Sequence, residues 1–288
     1  MHDKIINDIL DWIEDNLTKP ISTIDVIKKS GYSQRYFQDL FLHKTKSTIA
    51  KYILSRKLSM SAILLKLTRY SISEISNDYS FTSQQNFSRA FKRYFKVTPE
   101  FYRKSKFWDF RYYRPQHKVF DFKKINCQLI YLSKDRLLDN NSDDFKFFDI
   151  SIPFDFKSNI AIEGLGYKNK KQIEIIKSLV DSSNDNLCVS YNYFLSSKVK
   201  NKITVKYNIK YIHDYNFSFN KEGLKYYLFS FLGSWEDYMI LSNIIYMREL
   251  PLLQAKRRDG YDIEIFNSGK LDKKHLFFKL SYPYNLDI

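Results

Sequence analysis

Two short stretches of this chain carry side chains suited to reading the base edges of double-stranded DNA. The first holds Gln34, Arg35, Gln38 and Asp39; the second holds Gln84, Gln85, Asn86, Ser88 and Arg89. In each, aromatic residues recur four positions apart, Phe37/Phe41 and Phe87/Phe91. That spacing makes one helix face apolar and leaves the polar residues on the other. The amides of Gln and Asn match adenine and the guanidinium of Arg matches guanine, each good bidentate pair discriminating by about 1–3 kcal/mol. Asp39 is the exception. A carboxylate repels phosphate and accepts only from the cytosine amino group, so it weakens the first helix as a reader or changes its preference. Ser33, Lys44, Lys46, Lys51, Arg56, Lys57, Ser83, Lys92 and Arg93 flank the two stretches and are candidates for contacts to the DNA backbone.

These stretches sit in two copies of one pattern. Ile27-x-x-x-Gly31-Tyr32-Ser33 precedes the first, and Ile75-x-x-x-Tyr79-Ser80-Phe81-Thr82-Ser83 precedes the second. Each copy reads as a short apolar helix, a tight turn, a capping serine and a second helix, which is a helix-turn-helix. Gly31 supplies the turn, where a positive φ is cheap only for glycine, and Ser33 and Ser83 are expected caps. Between the copies, residues 48–67 are amphipathic and predict a helix of roughly 30 Å. Successive major-groove faces are about 34 Å apart, so a strut of that length suits a monomer that contacts two adjacent segments. Residues 3–17 and 24–29 also have helical periodicity. Ser71-Ile72-Ser73-Glu74 is a capping box, and Thr98-Pro99 opens a last short helix.

The pattern changes after Arg114-Pro115. Aromatic and β-branched alternation predicts strands at 188–195, 204–212, 226–232, 261–266 and 276–282. Helices are expected at 171–180 and 234–250, the second stopping before Pro251. Polar loops are expected at 133–147 and 181–186, and Lys256-Arg257-Arg258 reads as a solvated turn. The expected architecture is an all-α tandem helix-turn-helix unit of about seven helices at 1–110, a linker at 111–120, and an α+β domain built on an antiparallel sheet at 121–288.

The charge agrees with a polyanion partner. The 288 residues carry 47 Lys+Arg against 32 Asp+Glu, net +15. Residues 1–114 hold 21 of the basic and 11 of the acidic side chains, so the positive density is concentrated beside the two candidate readers. Cys127 and Cys188, with no secretory signal, read as free thiols in a reducing, cytoplasmic setting. The five histidines pair with neither a cysteine nor each other at ligand spacing, so no metal or cofactor is expected. There is no nucleophile elbow, phosphate loop or pair of catalytic carboxylates, so no catalytic residue and no enzymatic role are expected. No apolar run approaches the roughly 18 residues of a membrane span.

Residues 4–105 strongly resemble the AraC/XylS family. The resemblance is carried by Gly31-Tyr32-Ser33, Tyr36-Phe37 and Phe41, by Ser83-Gln84-Gln85-x-Phe87-x-Arg89-x-Phe91-Lys92, and by Phe95-x-x-Thr98-Pro99-x-x-Tyr102-Arg103. The N-terminal place of this unit is similar to the Rob-type arrangement. Phe107-Trp108-x-Phe110, Leu250-Pro251-Leu252 and Lys256-Arg257-Arg258-Asp259-Gly260-Tyr261-Asp262-Ile263-Glu264 are similar to Rob-type proteins and to activators of chaperone–usher capsule and fimbrial operons. The resemblance implies a bacterial, nucleoid-associated transcription activator that recruits RNA polymerase. It also implies a GyrI-like C-terminal domain that binds a small-molecule effector or a partner. Close relatives place Arg or Ser where Asp39 stands. In the effector domain the resemblance points to Glu264 as a carboxylate for a cationic ligand, with Trp235 and Tyr227 as candidate pocket aromatics; an ordinary exposed strand glutamate is the competing reading. Other readings of the whole chain are a regulator of stress and efflux genes, a ligand-sequestering or ligand-hydrolysing protein tethered to DNA, and a non-specific architectural DNA binder.

Overall fold

A computed structural model of the chain describes residues 2–114, 125–132, 146–153, 170–195, 202–212, 224–258, 260–267 and 275–281. Seven helices occupy the chain up to Lys104: α1 (His2–Asp15), α2 (Thr23–Ser30), α3 (Gln34–Thr45), α4 (Ile49–Leu67), α5 (Ile72–Asp78), α6 (Gln84–Phe95) and α7 (Pro99–Lys104). The internal repeat runs further than the two motifs. Phe37, Phe41, Lys46, Thr48 and Tyr52 recur fifty positions later as Phe87, Phe91, Lys96, Thr98 and Tyr102. Phe41 meets Tyr52 edge-on at 5.7 Å, and Phe91 meets Tyr102 edge-on at 5.5 Å. α3 and α6 both end on a lysine in the left-handed conformation, Lys46 at φ 56° and Lys96 at φ 66°.

The turns differ between the copies. Gly31 closes α2 at φ 73°, as expected for a residue without Cβ. The second turn is longer, and there Ser80 takes the positive φ while its Oγ donates to the Thr18 carbonyl at 2.8 Å. Ser83 Oγ accepts from the Asn86 amide at 3.1 Å and caps α6. Ser33 holds the N-cap backbone conformation of α3 but makes no side-chain cap, so the expectation of a capping Ser33 is corrected.

Helix α4 is the strut, about 28 Å long for its 19 residues. It packs against α2, α3, α5, α6 and α7, which leaves almost none of its surface in water. Two residues expected at DNA phosphates are therefore corrected. Arg56 is 0% exposed, and its Nε and Nη2 each donate at 2.8 Å to the two carboxylate oxygens of Glu14 on α1. Its Nη1 donates to the Arg114 carbonyl. Lys57 is 7% exposed and donates to the Lys19 and Tyr79 carbonyls at 3.0 and 2.9 Å. Neither side chain reaches the surface where DNA would lie.

The rest of the chain forms β1 (Phe107–Asp109), β2 (Asn126–Leu132), β3 (Lys146–Pro153), α8 (Lys170–Asp181), β4 (Asn186–Leu195), β5 (Lys202–Ile212), β6 (Leu224–Gly233), α9 (Trp235–Ile244), a π-helical turn (Ile245–Glu249), α10 (Leu250–Leu252), β7 (Lys256–Arg258), β8 (Asp262–Phe266) and β9 (His275–Ser281). Seven strands make one antiparallel sheet in the order β2-β6-β9-β8-β4-β5-β3. Ile173, Ile176 and Val180 of α8 and Trp235, Tyr238 and Leu241 of α9 bury themselves in one cluster with Val189, Tyr191 and Phe229 of the sheet.

Four expectations are revised here. The last long helix does not stop before Pro251: it passes through the π-helical turn and continues through Leu252. Pro251 directly follows the π-helical turn, one residue into α10. Lys256-Arg257-Arg258 is not a solvated turn. It is β7, paired with β1, and Arg257 is 2% exposed. Residues 146–147 of the expected polar loop belong to β3, and 133–145 lie outside the described residues. The first residues of the expected linker at 111–120 are packed: the Arg114 amide donates to Ser59 Oγ of α4 at 2.9 Å.

Two outcomes follow for the strut. Removing one partner of a buried ion pair costs about 3–5 kcal/mol, because the other charge is left unpaired. Glu14→Ala should therefore lower stability in chemical denaturation by about that much, and Arg56→Met with Glu14→Met together should recover most of it. Equal stability of Glu14→Ala and wild type would refute the pairing.

Lys57 gives a pH signature. Burial pulls its ammonium from 10.5 down to about 8. Between those values the unfolded chain holds the proton and the folded chain does not. Unfolding then takes up a proton, so stability relative to Lys57→Met should rise with pH across that window, by at most about 1.4 kcal/mol per pH unit. Below about 8 the difference should be flat. A difference that falls from pH 8 to pH 10 would contradict this placement.

Candidate nucleic-acid interface

On α3, Phe37 and Phe41 are fully buried, while Gln34, Arg35, Gln38 and Asp39 are exposed. On α6, Phe87, Phe91 and Phe95 are buried, Gln84, Gln85, Asn86 and Arg89 are exposed, and Ser88 is half-buried. The aromatic spacing thus turns each polar set outward as a group. The Asn86 amide is held by Thr82 Oγ1 at the start of α6. Ser33 is exposed with its hydroxyl outside any cap, and Ser83 is half-buried and occupied as a cap.

The cations are less uniform than the sequence suggested. Lys46, Lys51, Lys92 and Arg93 are exposed. Lys44 is tied to Asp3 at 2.5 Å, with the aspartate 78% exposed; the lysine's hydrogen bond and charge hold the Asp3 carboxyl below its ordinary range. That contact leaves Lys44 shared between Asp3 and any phosphate that approaches it. With Arg56 and Lys57 buried, Lys46, Lys92, Arg93 and Lys96 place exposed positive charge at the C-terminal ends of α3 and α6. Lys96 was missed by motif reading. It ends α6 as Lys46 ends α3, and extending the repeat past the second helix would have found it.

A second constellation lies in the sheet. Asp262 and Glu264 alternate on β8, so they point to one face, and both are buried. Tyr191 and Tyr238 donate to the Glu264 carboxylate at 3.0 and 2.6 Å, and Ser242 lies at 3.4 Å. Tyr246 donates to Asp262, which also takes Arg257 Nε at 3.3 Å. Tyr238, Ser242 and Tyr246 are spaced four apart, so a hydroxyl ladder on α9 and its π-helical turn faces alternate residues of the strand. The reading of Glu264 as an exposed strand glutamate is thus corrected. Trp235 stands edge-on to Tyr238 at 5.6 Å and stacks on Phe266 at 5.8 Å. Tyr227 is half-buried on β6, two strands from β8, which is about 10 Å across the sheet. Cys188 is buried and its thiol is pushed up to about 12, and Cys127 is half-buried and pushed up to about 11, so neither is an activated nucleophile. Among the described residues there is no cluster able to hold a metal and no helix long and apolar enough to cross a membrane.

A helix-turn-helix domain family matches residues 26–105. The chain is 47% identical over 108 residues to the transposon Tn10 TetD protein of Escherichia coli, covering 38% of this chain and 78% of that one. It is 42% identical over 102 residues to the regulatory protein SoxS of Escherichia coli K12, covering 35% of this chain and 95% of that one. The chain belongs to the AraC/XylS family. A longer match links it to the F1 operon positive regulatory protein of Yersinia pestis, at 29% identity over 265 residues, 90% of this chain and 82% of that one. This AraC/XylS member is a DNA-binding transcription regulator.

The two faces lead to a divided outcome. Arg89→Ala or Gln85→Ala should cost about 1–3 kcal/mol on the preferred site and relax base preference there. Lys92→Ala should weaken all sequences alike and reduce the salt slope by about one. Binding titrations on selected and random duplexes at several salt concentrations separate the two classes. Equal losses on random DNA for all three would mean that α6 does not read bases.

Proposed function

We propose that this chain is a monomeric transcription activator that reads two adjacent major-groove segments through α3 and α6 and recruits RNA polymerase. The observation that carries this reading is the pair of outward polar faces held on one buried strut, α4. Base readout falls to Gln34, Arg35, Gln38 and Asp39 on α3 and to Gln84, Gln85, Asn86, Ser88 and Arg89 on α6. Lys46, Lys51, Lys92, Arg93 and Lys96 face the phosphates. Residues 1–110 form the DNA-binding unit and 121–288 a GyrI-like unit, and the protein works in the bacterial cytoplasm at the nucleoid. The match to the F1 operon positive regulatory protein across 90% of this chain supports positive control of an operon, and the motifs at 250–252 and 256–264 favour one of the fimbrial or capsular type.

Within the second unit, Glu264 is the residue proposed to meet an effector. A buried carboxylate among aromatic residues favours a cation or amine, which would take over from the tyrosine hydroxyls that now hold it. Trp235 borders that place through Tyr238. Tyr227, two strands away on the same face, would be reached only by a ligand that extends across the sheet from Glu264.

The test is a footprint with the full-length protein together with genome-wide mapping of bound sites. Two protected segments about one helical turn apart on each site, with one protein bound, are expected. Protection of a single half-turn, or binding that requires a dimer, would refute the two-segment reading. For the effector, thermal stability of wild type and Glu264→Gln is compared across a panel of organic cations and neutral apolar compounds. Stabilisation of the wild type alone by a cation is expected, and identical responses would remove Glu264 from the role.

A further inference from the structure

The segment 107–114 touches α3, α4, α6 and β7. We infer that it is a yoke that sets the position of α3 relative to α6, with Arg114 as its positioning residue. The inference rests on the reading that α3 and α6 contact one DNA site together.

The contacts converge on the trailing ends of the two candidate readers. Arg114 Nη2 donates at 2.8 Å to the carbonyl of Thr45, the last residue of α3. A cation suits that end, where the helix dipole leaves partial negative charge. The same guanidinium lies 5.7 Å from the Tyr52 ring of α4, and the Arg114 amide donates to Ser59 of α4 at 2.9 Å. Arg114 is thereby fixed to the strut at its backbone and to α3 at its side chain. Its neighbours serve the other reader. The rings of Tyr112 and Tyr113 lie 6.3 and 5.9 Å from Phe95, the last residue of α6.

The other end of the yoke is fastened to the sheet. Phe110 donates its amide to the Ala255 carbonyl at 3.0 Å and packs its ring 5.7 Å from Tyr246. β1 pairs with β7, and the Arg257 guanidinium lies 5.5 Å from the Trp108 ring. Tyr246 and Arg257 both hold Asp262. One stretch of chain thus joins the buried carboxylates of the sheet to the ends of both helices. A helix is stiff, so a shift at its last turn moves the base-reading turns with it.

The experiment uses duplexes selected from a random pool by the full-length wild-type protein. Affinity is then measured for a selected duplex and for versions with one base pair added or removed between the two protected segments. Wild type should bind the altered spacings much more weakly than the selected one. Full-length Arg114→Met should lose on the order of tenfold in affinity for the selected duplex and discriminate less between spacings. Arg114→Lys, which keeps the charge, should fall between the two. If Arg114→Met lowers the melting temperature but keeps wild-type affinity and spacing preference, the yoke is overturned. The same holds if it weakens random duplexes equally and leaves the spacing preference intact, since that marks a phosphate contact. Should Arg114→Met fail to fold, half-buried Tyr112→Leu is measured in the same way, with the same deciding results. A wild type that protects only one segment overturns the two-segment reading itself, and with it the yoke.

Discussion

One buried guanidinium holds the helical unit together. Arg56 lies at the middle of α4, is closed off from water, and spends its donors on Glu14 of α1 and on the carbonyl of Arg114. Burial works against its charge, yet Glu14 beside it pushes the guanidinium's pKa above its ordinary value. A charge in that position is tolerable only with every partner in place. Three segments distant in sequence are therefore bound to one point: the first helix, the strut, and the stretch that leads on to the sheet. Each helix-turn-helix copy is closed by a matching aromatic pair, Phe41 with Tyr52 in the first and Phe91 with Tyr102 in the second.

Much of this was legible in the sequence because short-range rules set it. The four-residue aromatic spacing separated buried from exposed faces on α3 and α6, and Ser71, Ser83, Thr98 and Gly31 stand at helix ends as their side chains or backbones require. Arg56 and Lys57 were misjudged for a reason of geometry. A helix surrounded by five others has no outer face, and periodicity within one helix does not reveal how many neighbours it has. Strands β1 and β7 escaped for a similar reason. Each is three residues long and exists only through its pairing with a segment about 150 positions away. The charged run at Lys256-Arg257-Arg258 looked solvated because composition does not show that Trp108 and Asp262 cover its middle residue.

The sheet adds a different kind of constraint. A strand repeats by two residues and a helix by nearly four, and the rise per repeat is about 6.6 Å in the first and 6.0 Å in the second. The hydroxyls of Tyr238, Ser242 and Tyr246 can therefore face Glu264 and Asp262 along most of one helix without either element bending. The π-helical turn begins at Ile245 and carries Tyr246, the hydroxyl that reaches Asp262. Pairing with four hydroxyl groups and the Arg257 guanidinium lets two acidic residues remain in an otherwise aromatic interior.

The two candidate reading helices share a scaffold but not a surface. One presents Arg35 beside Asp39, and the other presents consecutive amides followed by Arg89. Joined in tandem in a single chain, they give the molecule a front and a back. A palindrome would match one half of such a protein and mismatch the other. Any sequence that satisfies both halves is asymmetric, and the protein can lie on it in one sense only. If α3 and α6 read one site together, as proposed, their inequality makes the bound molecule a pointer along the double helix, with the sheet unit always on the same flank.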